Sequence, residues 1–400
     1  NLACAQSACS HSHLLETLNC WRARLALRDG RLGQLSQLGM RGLRAFRAVV
    51  ARSKAAVAEG EAASQVLEFG SVSELPKQDP AADVEVAITH SCLNFKDAMI
   101  LLGQKGVVRG NGYPIVAGID YAGTVARSRS PLWQEGDRVV LTGNKAGQFF
   151  DGGYAERATV RAEWLVASPP QFSLAQAMAV GTAGITAAQC VSYLEGAGEV
   201  RPSHGPVLVT GAAGGLGQLA IPMLRSRGFE VIASTGRKAT LGAHLEALGA
   251  TEVIDRLDPD TKPLAEQRWA GVVDTVGGAT LAAALAQTKY RGALACPGVA
   301  GGGELSATVY PLILRGVRLL GVDQTLPWDV DGYPADRARW EAWRKEKLAM
   351  WEFCAEHLPP DALALTGGGT IGLDELNEYA PRIIKGEVAG RVVVDVGRRS

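Results

Sequence analysis

The sequence predicts an α/β protein built from two parts, a β-rich barrel-like domain and a doubly wound parallel sheet. Three observations predict it. Between residues 46 and 153, short apolar stretches alternate with Gly118, Gly123, Gly136, Gly143, Gly152 and Gly153, the turn spacing of a small barrel. From residue 206 onward, apolar runs of strand length alternate with helical stretches, the pattern of a parallel sheet with crossover helices. Between the two, over 173–198, the apolar period switches to that of helices.

Taken in order, FRAVVARS (46–53) reads as an opening strand and VEVAITHSCLN (84–94) as another, each with alternating apolar residues. GDRVVLTG (136–143) is a buried strand between glycine turns. PVLVTGAAGGLGQLAIPMLRSRGFEVIAST (206–235) reads as strand, glycine turn, helix and strand. ATEVIDR (250–256), AGVVDTVGG (270–278), GALACPGVAGG (292–302) and RLLGVDQT (318–325) supply further strands. Residues 335–358 form a long amphipathic helix, with Trp340, Trp343, Leu348 and Trp351 as a core-facing stripe rather than a membrane-facing one. Residues 373–387 are a second helix, and GRVVVDVG (390–397) is the closing strand.

Composition narrows the function classes. Forty-one basic and 41 acidic residues cancel, which removes a global drive toward nucleic acid or anionic membrane. Hydrophobic residues at 47% rule out wholesale disorder. Glycine stands at 48 of 400, an excess that implies many tight turns or close backbone approaches. The seven cysteines are scattered without a CxxC, so a reducing compartment is expected, with no disulfide framework and no structural zinc lobe. No apolar run approaches the length of a membrane span. The chain begins at Asn1 rather than methionine, which reads as a fragment or a processed form. Residues 1–42 are arginine-rich and acid-poor, with helically spaced leucines. That extension reads either as an organelle transit segment or as a docking helix or disordered extension, so the compartment is cytoplasmic or organellar.

The strongest local signal is VLVTGAAGGLG (207–217). An apolar strand runs directly into Gly211, Gly214, Gly215 and Gly217, and a helix follows. The glycines let backbone N–H groups approach a pyrophosphate at the helix N-terminus. After the next strand, where a carboxylate would bind the ribose 2′-hydroxyl of NAD, the chain has Ser234, Thr235, Gly236, Arg237 and Lys238. Arginine and lysine at that corner accommodate a 2′-phosphate, so NADPH is the expected coenzyme.

These residues, with GIDYAGTV (118–125), GDRV (136–139), GGYAE (152–156) and GTAGITA (181–187), resemble the medium-chain dehydrogenase/reductase superfamily over roughly residues 43–400. The resemblance implies a GroES-like catalytic domain joined to a Rossmann domain. It divides the chain into an extension (1–42), a GroES-like domain (43–177 and 326–400) and a Rossmann domain (178–325). Zinc-dependent members have a histidine where this chain has Ile119, and no two of its six histidines form a ligand pair, so no metal is expected. LNFKDAM (93–99), MAVGTAG (178–184), STGR (234–237), WAGVVDTVGG (269–278), PLILRGVRLLGVD (311–323) and GEVAGRVVVDV (386–396) are similar to the acrylyl-CoA reductase subfamily, a quinone-oxidoreductase-like group. Members often have tyrosine where this chain has Phe95, and the 1–42 extension lies outside the pattern.

The resemblance implies NADPH contacts at Phe95, Thr182, Ala213, Gly214, Gly215, Leu216, Thr235, Gly236, Arg237 and Val299, with Asp323 and Arg391 near the inter-domain cleft. It implies reduction of the C=C bond of acryloyl-CoA to propanoyl-CoA, by hydride transfer to the β-carbon and protonation of the enolate. Asn94, Lys96 and Asp97 follow a strand where the two domains should meet. Asn94 is expected to donate to the enolate and Lys96 to stabilise or protonate it, with Asp97 orienting Lys96; a structural knot at a strand–helix junction is the alternative. Asp120 is expected to support its turn. Lys105, Arg109 and Lys145 are candidate cations for the CoA phosphates. An NADPH quinone or enone reductase, and a nucleotide-bound accessory subunit of a larger assembly, remain alternatives. Relatives pair through the Rossmann sheet edge, so a homodimer is expected.

Overall fold

The computed structural model describes residues 45–110, 112–324 and 337–399; the expected leader at 1–42 lies outside the described residues. The β-rich domain contains β1 (Phe46–Ala51), β2 (Ser64–Phe69), β3 (Val84–Leu93), a short helix α1 (Phe95–Leu101), β4 (Ile115–Val116), β5 (Asp120–Ser128), β6 (Arg138–Thr142), β7 (Arg157–Val160) and β8 (Val166–Ala167). All six residues of β1 are buried. It pairs antiparallel with β2 and β4 in a small sheet. β3 runs antiparallel to β5 and β7, and β5 to β6.

Helix α2 (Leu174–Glu195) leads out of this domain. Ser173 caps it, and Gln176 reaches back to the Ser173 N–H at 2.8 Å to close a capping box. By composition α2 is apolar enough to cross a membrane, but 72% of that stretch is buried inside the protein. It is a core helix. Cys92, Ala122 and Val140 of the β-rich domain share one cluster with Ile185, Val191 and Leu219 of the following domain.

The parallel sheet follows, with β9 (Val207–Thr210), α3 (Gly215–Ser226), β10 (Val231–Ser234), α4 (Lys238–Ala247), β11 (Glu252–Ile254), β12 (Trp269–Asp274), α5 (Gly278–Ala286), β13 (Thr288–Cys296), α6 (Tyr310–Arg315) and β14 (Arg318–Gly321). The strand order is β11-β10-β9-β12-β13-β14, and every pairing is parallel. Winding reverses between β9 and β12, which puts the ligand crevice beyond the carboxyl end of β9.

The chain then returns through α7 (Arg337–His357), α8 (Pro360–Leu365), β15 (Gly367–Ile371), α9 (Leu376–Ile384) and β16 (Arg391–Asp395). β16 lies inside the β-rich sheet, antiparallel to β3 and parallel to β15. The tryptophan stripe of α7 splits. Trp340 and Trp343 pack on the β-rich core, whereas Leu348, Met350, Trp351 and Cys354 pack with the parallel-sheet core. The expected helix over 373–387 is a short 3-10 turn followed by α9. β15 carries no strand signature because three of its five residues are glycine.

One position sets the path between the domains. At Gly181, inside α2, φ is 51° and ψ is −159°, a conformation that L-residues rarely adopt. A Cβ there would stand 2.9 Å from both Arg391 Nη2 and Asp120 Oδ2 and 3.0 Å from Cys92 Sγ. Gly181→Ala is expected to cost about 1–3 kcal/mol in chemical denaturation. It should also lower activity by more than the lost stability explains, because the strain falls on the polar cluster described next.

Candidate functional site

β3 delivers Asn94 to the N-cap of α1. The Asn94 N–H donates to Asp97 Oδ2 at 3.1 Å, and its Nδ2 donates to the same oxygen at 3.0 Å. Asp97 Oδ1 accepts the Ile119 N–H at 2.9 Å. Asp97 therefore faces inward. Lys96 leaves α1 elsewhere and donates to Gln148 Oε1 at 3.3 Å. The expectation that Asp97 orients Lys96 is corrected: consecutive helical residues point about 100° apart, and the carboxylate is taken by the cap.

The Asn94 amide also reaches Asp120 Oδ2 at 3.1 Å, and its oxygen accepts from Arg391 Nη1 at 3.0 Å. Its donors are committed to two carboxylates, so its expected hydrogen bond to a substrate enolate has no free N–H behind it. Asp120, expected to brace a turn, is the hub of a buried network. It accepts from Cys92 Sγ (3.2 Å), Gly143 N (3.2 Å) and Thr182 N (2.7 Å), and from the Thr182 hydroxyl. Arg391, 4% exposed, donates further to Ala179 O (2.9 Å) and Cys92 Sγ (3.0 Å). Burial, seconded by Asp120, pushes the Asp97 carboxyl up to about 7, against the three hydrogen bonds that it accepts. Burial also drives the Cys92 thiol well above its ordinary range, which leaves it an inert part of the network.

The glycine turn packs directly against this network, a Cβ on Gly215 standing 2.8 Å from Arg391 Cδ. Gly211 has φ 58°, and Gly214 caps α3. The Gly215, Leu216 and Gly217 N–H groups precede the Gln218 N–H, which bonds Gly214 O at 3.0 Å. They are the unpaired donors with which a helix of this length receives a phosphate. Ala213 O accepts from Gly390 N at 3.2 Å, which ties the turn to the start of β16 and so to Arg391.

At the end of β10, Thr235 is buried and Gly236 exposed. Arg237 lies across the turn, its Nη2 donating to Ala213 O (3.2 Å) and Val388 O (3.4 Å). A second guanidinium is present that the motif did not reveal. A Cβ on Gly236 would meet Arg256 Cζ and Nη2 at 2.9 Å, so the side chain of Arg256, just beyond β11, lies against the same corner. Lys238 is exposed beside it. Val299 is 65% exposed in the loop after β13, with Gly302 N bonding its carbonyl at 3.0 Å. Phe95 is 41% exposed at the start of α1, and Asp323 is exposed just past β14, where its carbonyl accepts from Gln189. Lys145, read as a loop cation for CoA, is 4% exposed with Nζ 5.6 Å from the Phe149 ring centroid; it is a core residue. Lys105 and Arg109 are exposed. Among the described residues, no group of three or more His, Cys, Asp or Glu side chains is placed to hold a metal ion.

Residues 80–170 match the family model of the alcohol dehydrogenase GroES-like domain, and residues 215–330 match that named zinc-binding dehydrogenase. Acrylyl-CoA reductase AcuI of Ruegeria pomeroyi is 45% identical over 322 residues, 79% of this chain and 91% of that protein. The chain belongs to the acrylyl-CoA reductase subfamily of the zinc-free, quinone-oxidoreductase-like medium-chain dehydrogenases/reductases. The crystal structure of the Salmonella enterica oxidoreductase YhdH in complex with NADP aligns with a TM-score of 0.76 and 37% identity, covering 88% of this chain and 99% of that one. Bacillus subtilis YhfP, solved with NAD bound, aligns with a TM-score of 0.74 and 39% identity over 88% of this chain and 100% of that one.

In this acrylyl-CoA reductase relative, the position held by a histidine ligand in zinc enzymes is Ile119, whose N–H bonds Asp97. Sequence reasoning missed the centrality of Asp120 and the presence of Arg256. The signal for Asp120 was its apolar strand, where a lone acid needs partners.

The raised folded pKa of Asp97 has a signed consequence. The folded state holds a proton that the unfolded state has lost between pH 3.8 and about 7, so this group makes stability fall as pH rises through that window. Asp97→Asn is expected to lower the melting temperature at every pH, because one amide then faces the donors of Asn94. It should also flatten the decline between pH 5 and 7. Melting curves of equal slope in both proteins would show that Asp97 does not titrate there.

Proposed function

We propose that the chain reduces the C=C bond of acryloyl-CoA to propanoyl-CoA with NADPH. The observation that carries this is its kinship with the Ruegeria acrylyl-CoA reductase along nearly the whole length of that protein. The coenzyme choice has a local basis. Arg237 and Lys238 follow Gly236, Arg256 lies against it, a 2′-phosphate would be received at this corner, and no acid follows β10 to hold a ribose diol. The NAD in the Bacillus structure makes this a direct test of the basic corner.

The residues divide the work. The α3 amides and Gly214 would hold the pyrophosphate, and Thr235, Gly236, Arg237 and Arg256 would hold the phosphorylated ribose. Thr182, fixed by Asp120, would stand beside the nicotinamide, with Val299 and Phe95 along the cofactor. NADPH supplies a hydride to the substrate β-carbon. Charge then develops on the thioester oxygen, and preorganised donors must meet it. With Asn94 committed to its carboxylates, Lys96, held by Gln148, is the first of the three expected catalytic residues to serve, while Asn94 and Asp97 hold the start of α1. Water completes the protonation of the α-carbon where Lys96 does not. The division into domains at 43–177 with 326–400, and 178–325, is retained in this reading. The free Cys92, Cys190, Cys296 and Cys354 fit a reducing compartment.

A second copy of the chain is the partner that fits the sheet edge. β14 ends the parallel sheet. Beside it α6 exposes Tyr310 (50%), Ile313 (68%) and Leu314 (59%), an apolar patch on an open edge.

Three outcomes check these readings. NADPH oxidation with acryloyl-CoA is expected to exceed that with quinones or free enones; a preference for quinones would favour the second enzyme reading, and no turnover on any acceptor would favour the accessory one. Arg237→Ala is expected to weaken NADPH by about 10- to 100-fold while sparing NADH, the span of one or two charge-assisted hydrogen bonds. Ile313→Lys is expected to convert a dimer into a monomer in analytical ultracentrifugation, and an unchanged mass would place the interface elsewhere.

A further inference from the structure

Lys347, in the middle of α7, is 2% exposed. Its Nζ donates to Thr142 O and to Asn144 Oδ1, the latter at 3.3 Å, and stands 4.6 Å from the Trp343 ring centroid. Burial of a lysine is costly, and here it pulls the pKa down to about 7 although Asp120 opposes the shift. A well-packed apolar side chain would fill the same space at lower cost.

What the lysine touches is unusual. Gly143, Asn144 and Lys145 have φ of 68°, 52° and 70°, three successive left-handed residues of which two carry side chains. Such backbone is strained and persists only where its surroundings hold it. Asn144 is held from one side by its Nδ2 bond to Trp164 O at 3.0 Å and from the other by Lys347. The turn in turn presents the Gly143 N–H to Ile119 O at 2.8 Å and to Asp120 Oδ1 at 3.2 Å. Asp120 carries Thr182 and Asn94.

We infer that Lys347 is a positioning residue for the reductase site: from α7 it clamps the left-handed turn Gly143–Lys145 against Asp120, and through Asp120 it sets Thr182. The inference rests on the reading of the chain as an NADPH-dependent reductase. Either protonation state of the amine donates two hydrogen bonds, so the clamp holds across neutral pH. The charged groups around it are Asp120 on β5, Lys145 in the turn and Glu346 on α7. Glu346 is turned away to Gln189 and Tyr193 of α2 at 2.9 and 3.0 Å. α7 also packs on both cores, so the clamp is anchored in the body that carries the cofactor turn.

The test compares Lys347→Met, which keeps the bulk and loses the donors, with Lys347→Gln, which keeps an N–H donor without the charge. Lys347→Met is expected to lower kcat about tenfold or more, the effect of a small displacement at a reacting centre. NADPH affinity should stay within about twofold, because the phosphate contacts of α3 are untouched. The emission of the bound nicotinamide should lose part of its enhancement, a readout that needs no substrate. Lys347→Gln should recover part of both losses. Unchanged kcat and emission in Lys347→Met, or Lys347→Gln falling as far as Lys347→Met, would overturn the inference. If Lys347→Met does not fold, Asn144→Gly removes the acceptor while tolerating the left-handed turn, and the same pair of readouts decides. Failure of the wild type to reduce acryloyl-CoA strikes the functional reading alone, since the emission comparison stands without it.

Discussion

The Asp120 carboxylate is the constraint around which the rest of the structure is arranged. It begins β5 with no exposure to solvent, and an unpaired charge there would be prohibitive. Its donors come from β3, from the N-cap of α1, from the turn after β6 and from the kink of α2. Arg391 closes the ring from β16 through Asn94 and Cys92. To satisfy one anion, the chain must bring four separate stretches to the start of β5. Those stretches lie along the seam between the two domains.

This explains which parts of the protein were legible in the sequence. The pyrophosphate turn is contiguous: strand, glycines and helix lie within 207–217, so local pattern suffices. The parallel sheet was legible for the same reason, as each strand carries its own apolar run. The network was not. Asn94 and Asp120 are 26 residues apart, Thr182 and Asp120 are 62, and Arg391 and Asn94 are 297. No window of sequence holds two of these partners in a recognisable spacing. LNFKD contributes Asn94 and Asp97 to this network, but the direction of each side chain on the first turn of α1 depends on the cap, and the cap depends on Ile119. Arg256 escaped for a parallel reason: it reaches Gly236 from the end of the neighbouring strand, across the sheet rather than along the chain.

Helix α7 shows how a pattern can be read correctly and still mean something else. Its apolar stripe predicts burial, and the stripe packs on apolar cores, with Trp351 buried and Trp340, Trp343 and Leu348 half-buried. Yet its two ends serve different cores, Trp343 the β-rich one and Trp351 the other. Such a helix couples the two domains by packing alone, and Glu346 adds bonds to Gln189 and Tyr193 on α2. The bent α2 and the bridging α7 thus both pack across this seam.

The glycine pattern carries a further argument about how cofactor and chemistry are joined. At Gly215, a Cβ would stand 2.8 Å from Arg391 Cδ and 3.2 Å from Gly390 O. This glycine therefore makes room for the arginine stem as well as for a phosphate. Ala213 O takes the Gly390 N–H and also the Arg237 guanidinium. One turn thus contacts Arg391 of the buried network on one side and Arg237 on the other. A dinucleotide that drew Arg237 from Ala213 O toward its phosphate would release a carbonyl bonded, through Gly390, to the residue beside Arg391. The Arg237 corner is in this way mechanically adjacent to the network that holds Thr182.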